Sequence, residues 1–139
     1  MDDVKRSVQT VIVEKQLFSV MNNTKWEMLR KSVASRLPFP PPYQIKGVLE
    51  DTPYPQNFNV DVWYWGDWSE GLQPFYAIEW ICVRPRYIKR GEKDKSEIID
   101  IRDEFIVLLH QLKIPFVEKH NSIYIYGYVH NMEVFHNEK

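Results

Sequence analysis

Apolar positions at helical spacing open the chain. Val4, Val8, Val11, Ile12 and Leu17 recur at intervals that predict a helix from residue 3 to about residue 20. The β-branched run Thr10–Val13 works against it, because such side chains lose rotamer freedom in a helix. Asn22-Asn23-Thr24 breaks the pattern, and Thr24 with Glu27 fits a capping box that starts a second helix. Trp26, Leu29, Val33 and Leu37 line one face of that helix, which should end before Pro38.

Residues 38–42 read Pro-Phe-Pro-Pro-Pro and suit neither a helix nor a central strand, since proline fixes φ and removes a donor. The run predicts a stiff strut leading into a sheet. A polyproline II ligand for an SH3-like or WW-like partner is the alternative. A single short run beside folded segments favours the strut. Tyr43 to Leu49 alternates as a strand, and residues 50–59 are rich in turn formers. Val60 to Trp65 is a short aromatic strand or loop. Phe75 to Tyr87 carries the strongest strand pattern of the chain.

Gly91 to Lys95 reads as a hairpin tip, and Glu97 to Ile99 as a short returning strand. Asp100 resembles an N-cap, with Asp103 and Glu104 placed where a helix dipole favours negative charge. Ile101, Phe105, Leu108, Leu109 and Leu112 give the third helix its apolar face, and Pro115 stops it. A final hairpin, 116–119 and 122–128, turns at His120-Asn121, because Asn tolerates positive φ. Residues 129–139 read as a polar C-terminal tail. The order predicts an α+β fold: a mainly antiparallel sheet packed against two N-terminal helices and one helix after the central strands, in a single domain over residues 1–128.

Composition narrows the function classes. At 139 residues the chain is long enough to bury a core without a metal or disulfide staple. Lys and Arg number 18 against 19 Asp and Glu, so no strong field draws the protein toward nucleic acid or anionic lipid. The lone cysteine, Cys82, lies between Ile81 and Val83 and reads as a small buried hydrophobe rather than a nucleophile. No apolar stretch reaches the length of about 18 residues that a membrane span needs, and the start MDDVKRSV lacks a signal-peptide core. Cytoplasm is the expected compartment.

The aromatic share is high, at 14%. Its densest part is Asp61 to Glu70, where Trp63, Tyr64, Trp65 and Trp68 sit beside Asp61, Asp67 and Glu70. Indole faces can stack on sugars, bases or cations, and carboxylates can accept hydrogen bonds from a ligand. The plainer expectation buries at least two of the three tryptophans as a core plug. Glu79 falls among apolar neighbours in the strongest strand, so it must be paired or reach solvent. It is a candidate general base or ligand anchor, or it bonds an Arg or a backbone donor and fixes register. Arg84, Arg86, Lys89 and Arg90 form a basic strip around Tyr87 that can hold a phosphate or a nucleic-acid strand, but it is read first as a solvated hairpin tip and next as a contact for an acidic protein. The histidines make no metal pattern. No HExxH, GxSxG, Walker or GxGxxG motif occurs, and neither a cofactor nor a metal is implied.

Several strings taken together resemble an uncharacterised bacterial domain-of-unknown-function family. They are Asn22 to Trp26, Pro38 to Gln44, DVWYWGDW at Asp61–Trp68, Ile78 to Ile81, Arg84 to Tyr87, EIID at Glu97–Asp100 and Ile125 to Tyr128. The resemblance covers about residues 4–128. It implies a small bacterial cytoplasmic protein with no established activity and brings no catalytic residues. Two function classes follow from the residues. The first is a protein-binding module, with an immunity or antitoxin-like protein as its concrete version, that uses the Trp63–Trp68 segment (Trp63, Trp65, Asp67, Trp68) and the strip from Arg84 through Arg86 to Arg90. The second is a small-molecule-binding domain or enzyme that uses Glu79 with Arg86 in an aromatic-lined pocket. Strand parity weighs against the second, since Glu79 is odd and both arginines are even. A homodimer on an exposed strand edge is a further possibility.

Overall fold

The Asp2 carboxylate accepts a hydrogen bond from the Lys5 amide at 2.7 Å and caps helix α1, Asp3–Glu14. The fold is that of a computed structural model, which describes residues 2–136 apart from the Asp94 side chain. Helix α1 is shorter than its apolar spacing predicts. Gln16 turns left-handed at φ 55°, so that the Leu17 amide donates to Ile12 O at 2.9 Å and the Gln16 amide to Val13 O at 3.2 Å. This double bond pattern satisfies the last carbonyls and stops the helix, with Leu17 buried behind it. Strand β1, Phe18–Ser19, follows in place of a last helical turn.

Helix α2 spans Asn23–Arg36. Its cap is Asn22, whose Oδ1 accepts from the Lys25 amide at 2.8 Å, and not Thr24 as the capping-box spacing suggests. Glu27 is drawn outward instead, to Arg30 at 2.7 Å. Trp26, Leu29 and Val33 are buried on the predicted face. Leu37 is extended, as the residue before a proline must be.

The proline run is a strut, and its last three carbonyls are tied to the protein. Pro40 O accepts from the Gly66 amide at 3.0 Å, Pro41 O from the Trp68 indole N–H at 2.7 Å, and Pro42 O from the Arg84 amide at 3.0 Å. Strand β2, Tyr43–Gly47, leaves the strut directly.

The predicted strand over Phe75–Tyr87 is broken. A short 3-10 turn covers Phe75–Ala77, β3 is Ile78–Val83, and β4 is Arg86–Arg90 in a different sheet. Pro85 lacks a ladder donor, and Arg86 folds back so that its amide donates to Arg84 O at 2.7 Å. Strand β4 pairs with β5, Ser96–Asp100, as a two-stranded ribbon around the predicted tip. Asp100 Oδ1 accepts from the Arg102 amide at 2.8 Å, and α3 runs Arg102–Gln111. Its end repeats the device seen in α1: Lys113 is left-handed at φ 57°, and the Ile114 amide donates to Leu109 O at 3.0 Å.

The hairpin β6, Val117–Lys119, and β7, Ser122–Tyr126, turns at His120-Asn121, both left-handed, as the sequence predicts. Gly127 then interrupts the chain. Its amide donates to Glu79 O at 2.7 Å, and any Cβ there would collide with Ile78 O. Strand β8, Tyr128–Val129, pairs with β1. The chain read as a polar tail therefore starts inside the fold: Val129 is buried, and Phe135 packs edge-on to Tyr126. Residues 137–139 of that tail lie outside the described residues.

The main sheet has the order β2-β3-β7-β6, antiparallel throughout. Ile81, Val83, Ile123 and Ile125 share one face and form the core with Trp26, Leu29 and Val33 of α2 and Phe105, Leu108 and Leu109 of α3. The arrangement is the predicted α+β fold, with α1 flanking the core through Val8. The opposite face carries Gln44, Lys46, Trp80, Cys82, Tyr124 and Tyr126, as strand alternation requires. Among the described residues no helix is long and apolar enough to cross a membrane.

Two stability measurements check these assignments. Trp68→Phe leaves Pro41 O without its donor in a buried position, and urea unfolding should show a loss of about 1–3 kcal/mol. Lys113→Gly relieves a left-handed lysine, and the same measurement should show a gain of about 0.5–1 kcal/mol after the added freedom of the unfolded chain is counted.

Candidate functional site

The aromatic segment has no strand partner, yet its backbone is held at intervals. Phe58 is buried under the Arg84 guanidinium, 5.3 Å from ring centre to Cζ. Asp61 Oδ1 accepts from Arg86 Nε at 2.8 Å and lies 3.5 Å from an Arg84 terminal nitrogen. Val62 O accepts from the Ile88 amide at 2.7 Å, which fastens the segment along β4. Gly66 then bonds the strut, where a Cβ would run into Pro41 O and the Tyr43 ring.

Between these fixed points the side chains diverge. Trp68 is buried, edge-on to Tyr43 and Phe105. Trp63 and Trp65 are 65% and 53% exposed. The expectation that at least two of these three tryptophans plug the core is therefore corrected: one does. The reason is spatial. The space under the segment is filled by Trp68 and Leu72, and the alternation of the chain between its two anchors turns the other indoles outward.

Trp65 packs over the buried Phe39 of the strut and against Tyr87 from β4. The Phe39 and Tyr87 rings are 4.6 Å apart at 63°, and Trp65 meets Tyr87 at 5.8 Å and 85°. Arg90 lies over Trp63 at 6.0 Å, and a shallow depression between them is lined by Tyr87, Ile88 and Lys89. Phe39 is the member of this region that the sequence does not single out, while Tyr87, Arg90 and Asp61 belong to the aromatic segment and basic strip already named. Phe39 carried a signal, as the one apolar side chain with reach inside a proline run.

The other candidates are placed as follows. Asp67 is exposed and serves its own turn: Oδ1 accepts from the Glu70 amide at 3.0 Å, while its carbonyl accepts from Tyr43 OH at 2.5 Å. Glu79 is paired with Lys46 at 2.6 Å, both side chains being mostly buried. A register shift sets Lys46 against Trp80 and Gly47 against Ile78, so Glu79 is the extra residue of a bulge. That bulge takes its side chain off the core face and gives it a cation. Glu79 and Arg86 are thus held in separate ion pairs toward opposite ends of the central strands. The basic strip is not one solvated tip either. Arg84 is 5% exposed, Arg86 is half-buried on Asp61, and Lys89 and Arg90 alone are exposed.

Cys82 is buried, as expected, and burial pushes its thiol upward in pKa despite hydrogen bonds with Tyr124 and Ser122. A thiol in that state is a poor nucleophile. Among the described residues no three His, Cys, Asp or Glu side chains gather to hold a metal ion. What the region offers is two open indole faces, a tyrosine and nearby cations on a fixed backbone.

The tyrosines give a pH signature. Burial, with the Asp67 charge adding, pushes Tyr43 from 10.0 up to about 12, and burial also lifts Tyr124 to about 12. The folded state holds these protons more tightly than the unfolded state does. Their stabilisation is therefore complete below pH 10 and is lost as pH rises to about 12. Unfolding curves across that range should show falling stability, and Tyr43→Phe should make the fall shallower.

No curated protein and no solved structure matches the chain. A sequence-family match does span the strut, the aromatic segment, both sheets of the centre and the final hairpin, over residues 8–132. The chain belongs to that family, described as a Family of unknown function (DUF6678).

Proposed function

We propose that this chain is a protein-binding module of the cytoplasm that docks its partner on the face formed by Trp63, Trp65, Tyr87 and Arg90. An immunity or antitoxin-like role is the concrete version. The observation that carries the reading is the exposure of Trp63 and Trp65, at 65% and 53%, on a backbone bonded to β4 and to the strut. Trp, Tyr and Arg are the side chains that dominate interface energies. Indoles already fixed before contact lose little freedom on binding, so their buried area converts to affinity with a smaller entropic cost. Lys89 and Arg90 border the aromatic centre, which suits a partner with carboxylates around an apolar knob. The net charge of −1 means that such attraction acts at contact rather than at long range. Glu79 and Arg86, each engaged in its own ion pair, lend no support to an acid–base centre.

Purification of the full chain from its native host tests the reading. One stoichiometric protein should come with the wild type. Trp63→Ala combined with Arg90→Ala should weaken that complex about thirtyfold or more, since central Trp and Arg positions cost about 2 kcal/mol or more when truncated. Because both side chains are surface-placed, unfolding free energies from urea melts should stay within about 0.5 kcal/mol of wild type. Free monomer under every condition, or a complex indifferent to the double change, overturns it. Self-association in light scattering that the same change abolishes reassigns the face to a homodimer.

A further inference from the structure

The sheet face turned away from the helices bears a second feature, unrelated to the docking face. A cleft of about 310 Å³ lies there, between Gln44, Cys82, Ser122 and Tyr124 of the sheet and Asn57 of the loop before the aromatic segment, with Arg84 in its wall. Its volume is at the lower end of the range for small-molecule sites. No Asp or Glu is among the described residues that line it.

Arg84 is the odd element. Its side chain is 6% exposed, so a permanent cation is held almost out of water. Buried charges are ordinarily paired at close range. Here the nearest carboxylate oxygen, Asp61 Oδ1, is 3.5 Å away and is bonded more closely to Arg86, at 2.8 Å. One terminal nitrogen of Arg84 donates to Phe58 O at 2.8 Å and stands 3.4 Å from Ser122 Oγ. Nε–H has no hydrogen-bond partner, and it is the buried side-chain polar atom left without one among the described residues. A buried donor on a charged group is costly to leave unmade. Its cation is short of negative charge, its fork is half used, and its surroundings are amides, hydroxyls and aromatic edges.

We infer that this cleft binds a small molecule through an oxyanion, a carboxylate or a phosphate monoester, seated on Arg84. Nε is closed to water in the free protein, so the anion first takes the terminal N–H now spent on the long contact to Ser122, and the guanidinium released from Ser122 turns to bring Nε–H onto the second oxygen. That makes the paired bonds for which a guanidinium is shaped. The Asn57 amide lies on the exposed side of the cleft, and the Tyr124 ring lines its wall.

The Nε–H of Arg84 is its own reporter in a proton–nitrogen spectrum of the full chain. Sodium phosphate and sodium acetate, each titrated at an ionic strength matched with sodium chloride, are the probes. A saturable downfield movement of that resonance is expected with one of them and not with chloride, and the probe that works names the anion. Asn57→Asp, an exposed change that sets a carboxylate in the cleft, should weaken the binding about tenfold or more. Arg84→Lys, which keeps the charge but removes the fork, should do likewise when followed on neighbouring amide resonances. No saturable movement, equal movement in chloride, or unchanged affinity in Asn57→Asp overturns the inference. The Asn57→Asp arm stands even if Arg84→Lys does not fold.

Discussion

Three successive carbonyls, on Pro40, Pro41 and Pro42, hold the centre of this protein. Prolines have no N–H, so the run can give nothing to a ladder and can only accept. Each carbonyl takes a donor from a different place: the Gly66 amide, the Trp68 indole and the Arg84 amide. An extended proline segment has little conformational freedom to lose, and its carbonyls are presented at fixed spacing before any partner arrives. One stiff piece therefore sets the positions of an irregular loop, a buried ring and the end of a strand that share no sheet. The unmatched donors and acceptors of Pro-rich and loop segments, ordinarily left to water, are here matched to one another.

From that constraint the split of the sheet follows. Strand β3 leaves the main sheet where the Arg84 amide bonds Pro42 O, and Pro85 prevents the ladder from continuing. The chain then turns out into the β4–β5 ribbon, returns through the Ile101 amide to Pro85 O at 2.8 Å, and enters α3. Because the break falls between Arg84 and Arg86, the two arginines separate. The first is driven into the protein behind the sheet. The second stays at the surface on Asp61, which lies close enough to both to offset part of each charge.

Local signals carried most of the fold. The apolar faces of α2 and α3, the ribbon tip and the His120-Asn121 turn were legible because each rests on residues near in sequence. The misreadings have non-local or unfamiliar local causes. The end of α1 depends on Gln16 adopting a conformation that glycine usually fills. The second cap depends on a choice between Asn22 and Thr24, two residues of similar capping strength. The strand break at Pro85 was marked in the sequence by the proline itself, whereas the bulge that redirects Glu79 was not. Of the candidate site, the sequence located the aromatic segment and its arginines. It could not tell Trp68 from Trp63 and Trp65, since only the strut, far away along the chain, decides which indole finds an acceptor and a cavity.

The same dependence explains why exposed tryptophans can persist here. An indole in water forgoes the burial that stabilises Trp68, and a flexible loop carrying two of them would collapse onto the nearest apolar surface. Collapse is prevented because Val62 and Gly66 are bonded on either side, and because the buried Phe39 and half-buried Tyr87 already fill the space beneath Trp65. The polar side of the fold obeys a parallel rule. Phe58 O and Ser122 hold the Arg84 guanidinium in place, so its unmet donor cannot swing out to water. In both cases the protein maintains an unfavourable exposure or an unmet bond by fixing the backbone around it. Such fixed, unsatisfied groups are where a second molecule gains most by binding, because the cost of arranging them has been met in folding.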